Sequence, residues 1–268
     1  METALRKSWR LIMILVWLVV GPACVINLAD YPYQRSAPRN AFHQILALEP
    51  GGTIRLENEE GDIEIRGWER DEVEITAEAE FLPPFRPGFS FSSWGSPRPR
   101  VQVTGSEDFV KIKSPSPGQN RAVGAIHFIL NVPKSVDLDD IRNEQGDVAI
   151  SDVFGKIAVD LGEGNLIIEN FSGSVEASVE QGTVEADLLD LREEDEIRIV
   201  SRRGDITVFL QPDADVRLEA SAPEGEVNSE FELGQDLPAK KVSGAILAGK
   251  TLVLLTALSG DIAVRKGD

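Results

Sequence analysis

Residues 146–188 read GDVAISDVFGKIAVDLGEGNLIIENFSGSVEASVEQGTVEADL. Gly146, Gly155, Gly164, Gly173 and Gly182 recur in this stretch every nine residues. Each opens a unit of the form glycine, polar residue, aliphatic, any residue, aliphatic. Apolar residues two apart lie on one face of a strand, so each unit is a short half-buried strand entered through a turn. Glycine suits that turn because it adopts positive φ and lets neighbouring backbone come close. A finer alternation lies beneath the period. An apolar residue stands two before Gly155 (Val153) and Gly173 (Phe171), but three before Gly164 (Leu161) and Gly182 (Val179). The full repeat is therefore eighteen residues, built from two different nine-residue sides.

The same unit occurs outside this stretch, as GDIEI at Gly61, GDITV at Gly204 and GDIAV at Gly260. From Gly182 the later glycines Gly204, Gly225, Gly244 and Gly260 follow at intervals of 22, 21, 19 and 16. Fixed periods of this size mark stacked units that bury a continuous core between neighbours. The expected fold is all-β, a single parallel β-helix or β-solenoid with coils of roughly 18–22 residues. An antiparallel meander of nine-residue hairpin strands is the competing arrangement. It requires neither a glycine in register on every strand nor a pattern repeating at double the period.

Residues 135–268 carry these repeats, and residues 45–134 are less regular. Strands are expected there at 54–56, 62–65, 73–77, 101–103, 109–112 and 126–132. Residues 82–100, LPPFRPGFSFSSWGSPRPR, interrupt them with five prolines and cannot form a central strand. The region 45–134 reads as opening coils or a β cap that shields the apolar end of the stack. Within the insertion, Phe85, Phe89, Phe91 and Trp94 with Arg98 combine apolar anchors and a cation on an acidic chain. They are the candidate partner contacts, because aromatic and arginine side chains are enriched where proteins bind partners or stack on sugars. A long loop folding its aromatics back onto the cap is the alternative.

The first 29 residues read as a signal peptide or membrane anchor. Arg6, Lys7 and Arg10 precede an unbroken apolar run at 11–20, followed by Gly-Pro-Ala-Cys at 21–24. Three readings stand: lipidation at Cys24, an uncleaved anchor extending to Ala29, or simple cleavage. The four residues resemble a bacterial lipoprotein box, although Gly21 and Pro22 depart from its usual pattern. Each reading sends the acidic remainder of the chain out of the cytoplasm. Residues 30–44, with Pro32 and Pro38, read as a tether.

The runs RLENEEGDIEIRGWERDEVEITAEAEF at 55–81 and FILNVPKSVDLDDIRNEQGDVAI at 128–150 resemble the bacterial putative-adhesin family of envelope proteins. The resemblance covers about residues 45–265. It implies one domain of coiled parallel strands on an exported or membrane-tethered protein, and it implies no catalytic residues.

Composition narrows the chemistry further. Formal charge is −18, from 27 basic and 45 acidic residues, so nucleic acid is not an expected partner. Cys24 is the sole cysteine, which excludes a disulfide framework. His43 and His127 are the two histidines, and no nucleophile stands beside either in sequence. No paired His or Cys has ligand spacing, so neither metal nor cofactor is expected. Acids are plentiful at Asp139-Asp140, at 193–196, and after glycine at Asp62, Asp147, Asp205 and Asp261. These residues read as turn and loop chemistry. Stacking of Glu176, Glu185 and other outward acids into Ca²⁺-binding ladders is a middle possibility. The expectation is a non-catalytic envelope protein, adhesin-like or a scaffold, whose partners are the membrane through its anchor and an envelope polysaccharide or protein. A carbohydrate-active β-helix enzyme, or a self-assembling stack similar in architecture to bactofilins, is the alternative.

Overall fold

Glycine-led strands that alternate aliphatic and polar residues have one apolar face each, and that face must be covered. The chain covers it by folding every coil into two strands, one in each of two facing sheets. The computed structural model describes residues 41–81, 99–115, 123–233 and 237–267. Among these residues nineteen strands follow one another without a helix. The first seven are β1 (Phe42–Ala47), β2 (Gly52–Glu60), β3 (Ile63–Trp68), β4 (Glu72–Phe81), β5 (Gln102–Gly105), β6 (Phe109–Lys113) and β7 (Val123–Pro133). The regular repeats supply β8 (Val136–Gln145), β9 (Val148–Ser151), β10 (Phe154–Glu163), β11 (Leu166–Gln181) and β12 (Val184–Leu188). Next come β13 (Glu196–Arg203), β14 (Ile206–Leu210), β15 (Val216–Ser221) and β16 (Val227–Ser229). The last are β17 (Lys241–Ala245), β18 (Thr251–Ser259) and β19 (Ile262–Lys266).

The front sheet runs β5-β6-β2-β8-β10-β11-β13-β18-β15-β17, and the back sheet runs β1-β4-β7-β3-β9-β11-β12-β14-β19-β16. Strand β11 turns the corner at Gly173 and contributes its two halves to the two sheets. Interior pairings are parallel, as the solenoid reading requires. Antiparallel strands occur only towards the ends: β5 on β6, β4 on β7, β1 on β4, and β17 on β15. They close the parallel ladders with a change of direction, which blunts edge-to-edge association.

Between the sheets, aliphatic side chains stack coil on coil. One front column is Ile54, Leu138, Ile157, Val175, Ile197, Val253 and Leu218, all buried. Its back-sheet counterpart is Ile63, Val148, Leu166, Val184, Ile206, Ile262 and Val227. The alternation within the nine-residue period has a geometric meaning. Gly61, Gly146, Gly164, Gly182, Gly204 and Gly260 form one corner column, where the chain passes from front to back sheet. Gly155 and Gly173 occupy the opposite corner. Leu161 and Val179 fill the core at the first corner, and Val153 and Phe171 fill it at the second.

Two expectations need correction, and two features stand outside the sequence reading. Gly244 lies within the end strand β17 against Leu233 and turns no corner, so the loosened series was not one column. Strand β1 begins at Phe42, inside the stretch read as tether to residue 44. The boundary at 134/135 is no structural break, because β2 pairs directly with β8 across one continuous core. The coils also stack out of chain order. The β6–β7 coil sits outside β2–β3, and the β18–β19 coil is inserted between β13–β14 and β15–β16.

Candidate functional site

Along the first corner the polar residues after Gly61, Gly146, Gly164, Gly204 and Gly260 tie one coil to the next. The backbone N–H of Asp147 donates to Asp62 Oδ1 (3.0 Å), that of Asn165 to Asp147 Oδ1 (2.8 Å), and that of Thr183 to Asn165 Oδ1 (3.1 Å). The N–H of Asp261 donates to Asp205 Oδ1 and that of Glu226 to Asp261 Oδ1, both at 2.8 Å. His127 heads this ladder, its Nδ1 accepting from the N–H of Asp62 at 3.1 Å. The acids that follow glycine are therefore coil-to-coil caps, a use of side-chain oxygen available to Asp, Asn and Thr alike. His43 lies elsewhere, 2.9 Å from Glu74. Both histidines meet carboxylates, and among the described residues neither bonds a hydroxyl.

A second set of residues shapes an open groove of about 760 Å³ on the outer side of the front sheet. Its floor is low because Ala158 and Ser174 occupy outward positions where neighbouring strands carry long side chains. Asp137, Asp139 and Lys156 line one side, and Glu176, Glu194 and Arg198 the other. Asp139 and Asp140 form a bulge in β8, with φ of 79° at Asp140, which brings two residues opposite Arg55. Asp139 accepts from Arg55 Nε at 2.9 Å, and Asp140 Oδ1 pairs with Arg142 Nε at 2.7 Å. Asp137 caps the N–H of Lys156 (2.9 Å), and Ser174 Oγ caps that of Glu196 (3.2 Å). Lys156, Glu176 and Glu194 have no side-chain partner among the described residues.

The match to known proteins falls on these same strands. The family model described as Toastrack DUF4097 covers residues 126–265, just over half of the chain. The chain belongs to the Toastrack DUF4097 family. A solved structure of a putative cell adhesion protein from Clostridium sporogenes is similar, with TM-score 0.50 and 14% identity over 85% of this chain and 100% of that one. A putative adhesin from Bacteroides fragilis aligns with TM-score 0.41 and 12% identity, covering 85% and 98% of the two chains. No curated protein matches the sequence. At such identities the likeness concerns the fold.

Within the Toastrack chain, several sequence-derived candidates fall apart or out of view. Cys24, Phe85, Phe89, Phe91, Trp94 and Arg98 lie outside the described residues. Glu176 and Glu185 project from opposite sheets, so they share no ladder. Among the described residues no three His, Cys, Asp or Glu side chains gather as metal ligands. Asp195 accepts the N–H of Arg192 at 2.7 Å, and Glu193 lies 3.8 Å from Lys250, so the acidic run at 193–196 orders its own loop. Sequence reasoning missed the groove, because its signal is only small residues at two outward positions, legible once the register is known.

Two acids mark the electrostatics of the Toastrack faces. On the back sheet, burial pushes the Glu169 carboxyl up, helped by Glu185, Asp187 and Asp152. On the front sheet, Glu57 accepts from both Lys111 and Lys113 at 2.6 Å, and this clamp holds its carboxyl down to about 2. A lowered folded-state pKa contributes stability above the ordinary carboxylate range, and that contribution is lost as pH falls toward 2. Glu57→Gln is expected to lower the melting temperature at pH 7 by a few degrees at most, since exposed ion pairs are weak. Thermal scans from pH 7 to pH 2 check this: the gap between variant and parent closes at the acid end.

Proposed function

We propose that the chain is a non-catalytic binding module of the bacterial envelope, and that the front-sheet groove receives a charged, hydroxyl-rich polysaccharide. The observation that carries this reading is Lys156, Glu176 and Glu194 standing unpaired around the low floor of Ala158 and Ser174. Donors and acceptors of both signs converge there without neutralising one another, as polar recognition of a flexible polymer requires. Asp137 and Asp139 are taken up by a backbone N–H and by Arg55, and neither is enclosed in the apolar setting that equips a carboxyl as general acid. The basic residues and apolar run at the start of the chain support delivery outside the cytoplasm. The description of the Clostridium sporogenes relative in fold as a putative cell adhesion protein accords with this address.

Co-sedimentation of the full-length protein with purified envelope polysaccharides tests the proposal. The Lys156→Ala/Glu176→Ala pair is expected to weaken binding about ten-fold with little change in melting, while Thr207→Ala on the back sheet leaves it unchanged. Equal binding by the groove variant refutes the assignment. Release of reducing ends during incubation would replace it with an enzyme. Mass spectrometry of the mature N-terminus, with and without Cys24→Ser, decides among lipid, span and release.

A further inference from the structure

Strand β18 departs from its neighbours on the outer side of the front sheet. It reads TLVLLTALS, with Thr251, Val253, Leu255 and Ala257 buried in the core. Leu252, Leu254 and Leu258 therefore point outward. Leu258 is 42% exposed, Leu252 and Leu254 are half-buried, and Val200 of β13 continues the stripe. A strand apolar on both faces has the pattern of one covered on both faces. Among the described residues nothing covers the outer one.

The flanking strands carry charge in register with these leucines. Strand β13 sets Glu196 beside Leu252 and Arg198 beside Leu254. On the other flank, β15 sets Arg217 beside Leu252 and Glu219 beside Leu254. The order of signs is thus inverted from one flank to the other. Each couple pairs only loosely along its own strand, at 3.3 Å for Arg198–Glu196 and 3.9 Å for Arg217–Glu219, and all four side chains are about half exposed or more.

We infer that this face packs against the same face of a second copy, about a two-fold axis running along β18. Rotation about that axis preserves position along the strand and exchanges the flanks. Glu196 then faces the partner's Arg217, and Arg198 faces the partner's Glu219. Leu252 and Leu254 meet their own counterparts on the axis, as an isologous contact demands. A two-fold running across the strands at the level of Val253 also opposes Glu196 and the partner's Arg198, but it carries Leu258 past the start of the partner's β18, so only the axis along β18 keeps all three leucines in contact. Twisted sheets pack face to face with their strands nearly aligned, a geometry that the axis along β18 satisfies.

The complementarity extends outward. Strand β11 comes opposite the partner's β17, whose Lys241 approaches Glu176 and Glu180. Strands β8 and β10 lie beyond the partner's last strand, so Asp137, Asp139 and Lys156 stay open, whereas Glu176 and Arg198 enter the contact, and dimer and polysaccharide compete for that wall of the groove. The inference does not rest on the polysaccharide reading. Five strands at ~4.8 Å and eight residues at ~3.3 Å give a projected face of roughly 600 Å² per copy. That is the small end of specific interfaces, and the association is accordingly reversible.

The test uses the full-length chain with Cys24→Ser and one new thiol at Thr256→Cys, on the axis. Facing sheets stand ~10 Å apart, beyond disulfide reach, so a short bis-maleimide replaces oxidation. A covalent dimer is expected from Thr256→Cys and not from Thr207→Cys on the back sheet. Adding Arg198→Glu should cut the dimer yield about ten-fold, and adding Glu219→Arg to that variant should restore it to within about two-fold. Equal yields from the two thiol positions, no dimer at Thr256, or failure of the charge exchange to restore yield each overturn the proposal. Melting curves confirm folding, and Glu196→Arg with Arg217→Glu repeats the exchange should Arg198→Glu fail to fold.

Discussion

Gly182→Ala is expected to destabilise the protein by about 4 kcal/mol or more, enough to lower its melting temperature by about 10 °C. The added Cβ would lie 1.8 Å from the carbonyl oxygen of Gly164 in the coil beside it, and the backbone at Gly182 has φ of 144°. Both obstacles are backbone, so no side-chain rotation relieves them. The N–H of Gly182 also donates to Arg203 O at 2.9 Å, which fixes the spacing to the coil on its other side. Gly51→Ala separates strain from collision. Gly51 has φ of 83° with nothing within 4 Å of a Cβ, and its substitution should cost only about 1 kcal/mol. Equal melting temperatures for the two variants would show that the corner column does not set the coil spacing.

Phe171→Ala should destabilise by about 3–5 kcal/mol. Phe171 is among the largest fully buried side chains, and it fills the second corner two residues before Gly173. Its Cα partner Leu188 stands in a ladder that runs on to Leu210, so that side cannot collapse into the space without breaking register. Phe154 stands one residue before the equivalent Gly155 and is 43% exposed. Phe154→Ala should therefore change stability by no more than about 0.5 kcal/mol. Urea titration of the two variants checks the contrast.

Much of the architecture was readable because the physics that imposes it is local. A glycine every nine residues with alternating aliphatics can be seen in one dimension, and so could the difference between the Leu161–Val179 and Val153–Phe171 positions. That difference proved to be the difference between two corners. The coil order at both ends was not readable. Strand β18 pairs with β13 and β15 through register alone, and no residue in β18 names its neighbours. The groove was hidden for the same reason. Ala158 and Ser174 are ordinary small residues until register sets them side by side among longer ones. The Asp residues after glycine were legible as turn chemistry, but their bonds to the following coil, such as Asp62 to the N–H of Asp147, appear only in the stack.

The inserted coil bears on how the molecule assembles during synthesis. Strands β15 and β16 leave the ribosome before β18 and β19, yet the later pair belongs between them and β13–β14. Until residues 251–266 emerge, the exposed edge of β13 is free to accept β15 directly, one layer too early. Among the described strands β15 and β16 pair only with β17, β18 and β19, so they gain their place only once residues 251–266 have docked on β13 and β14, and a chain stalled before that leaves 216–245 unattached.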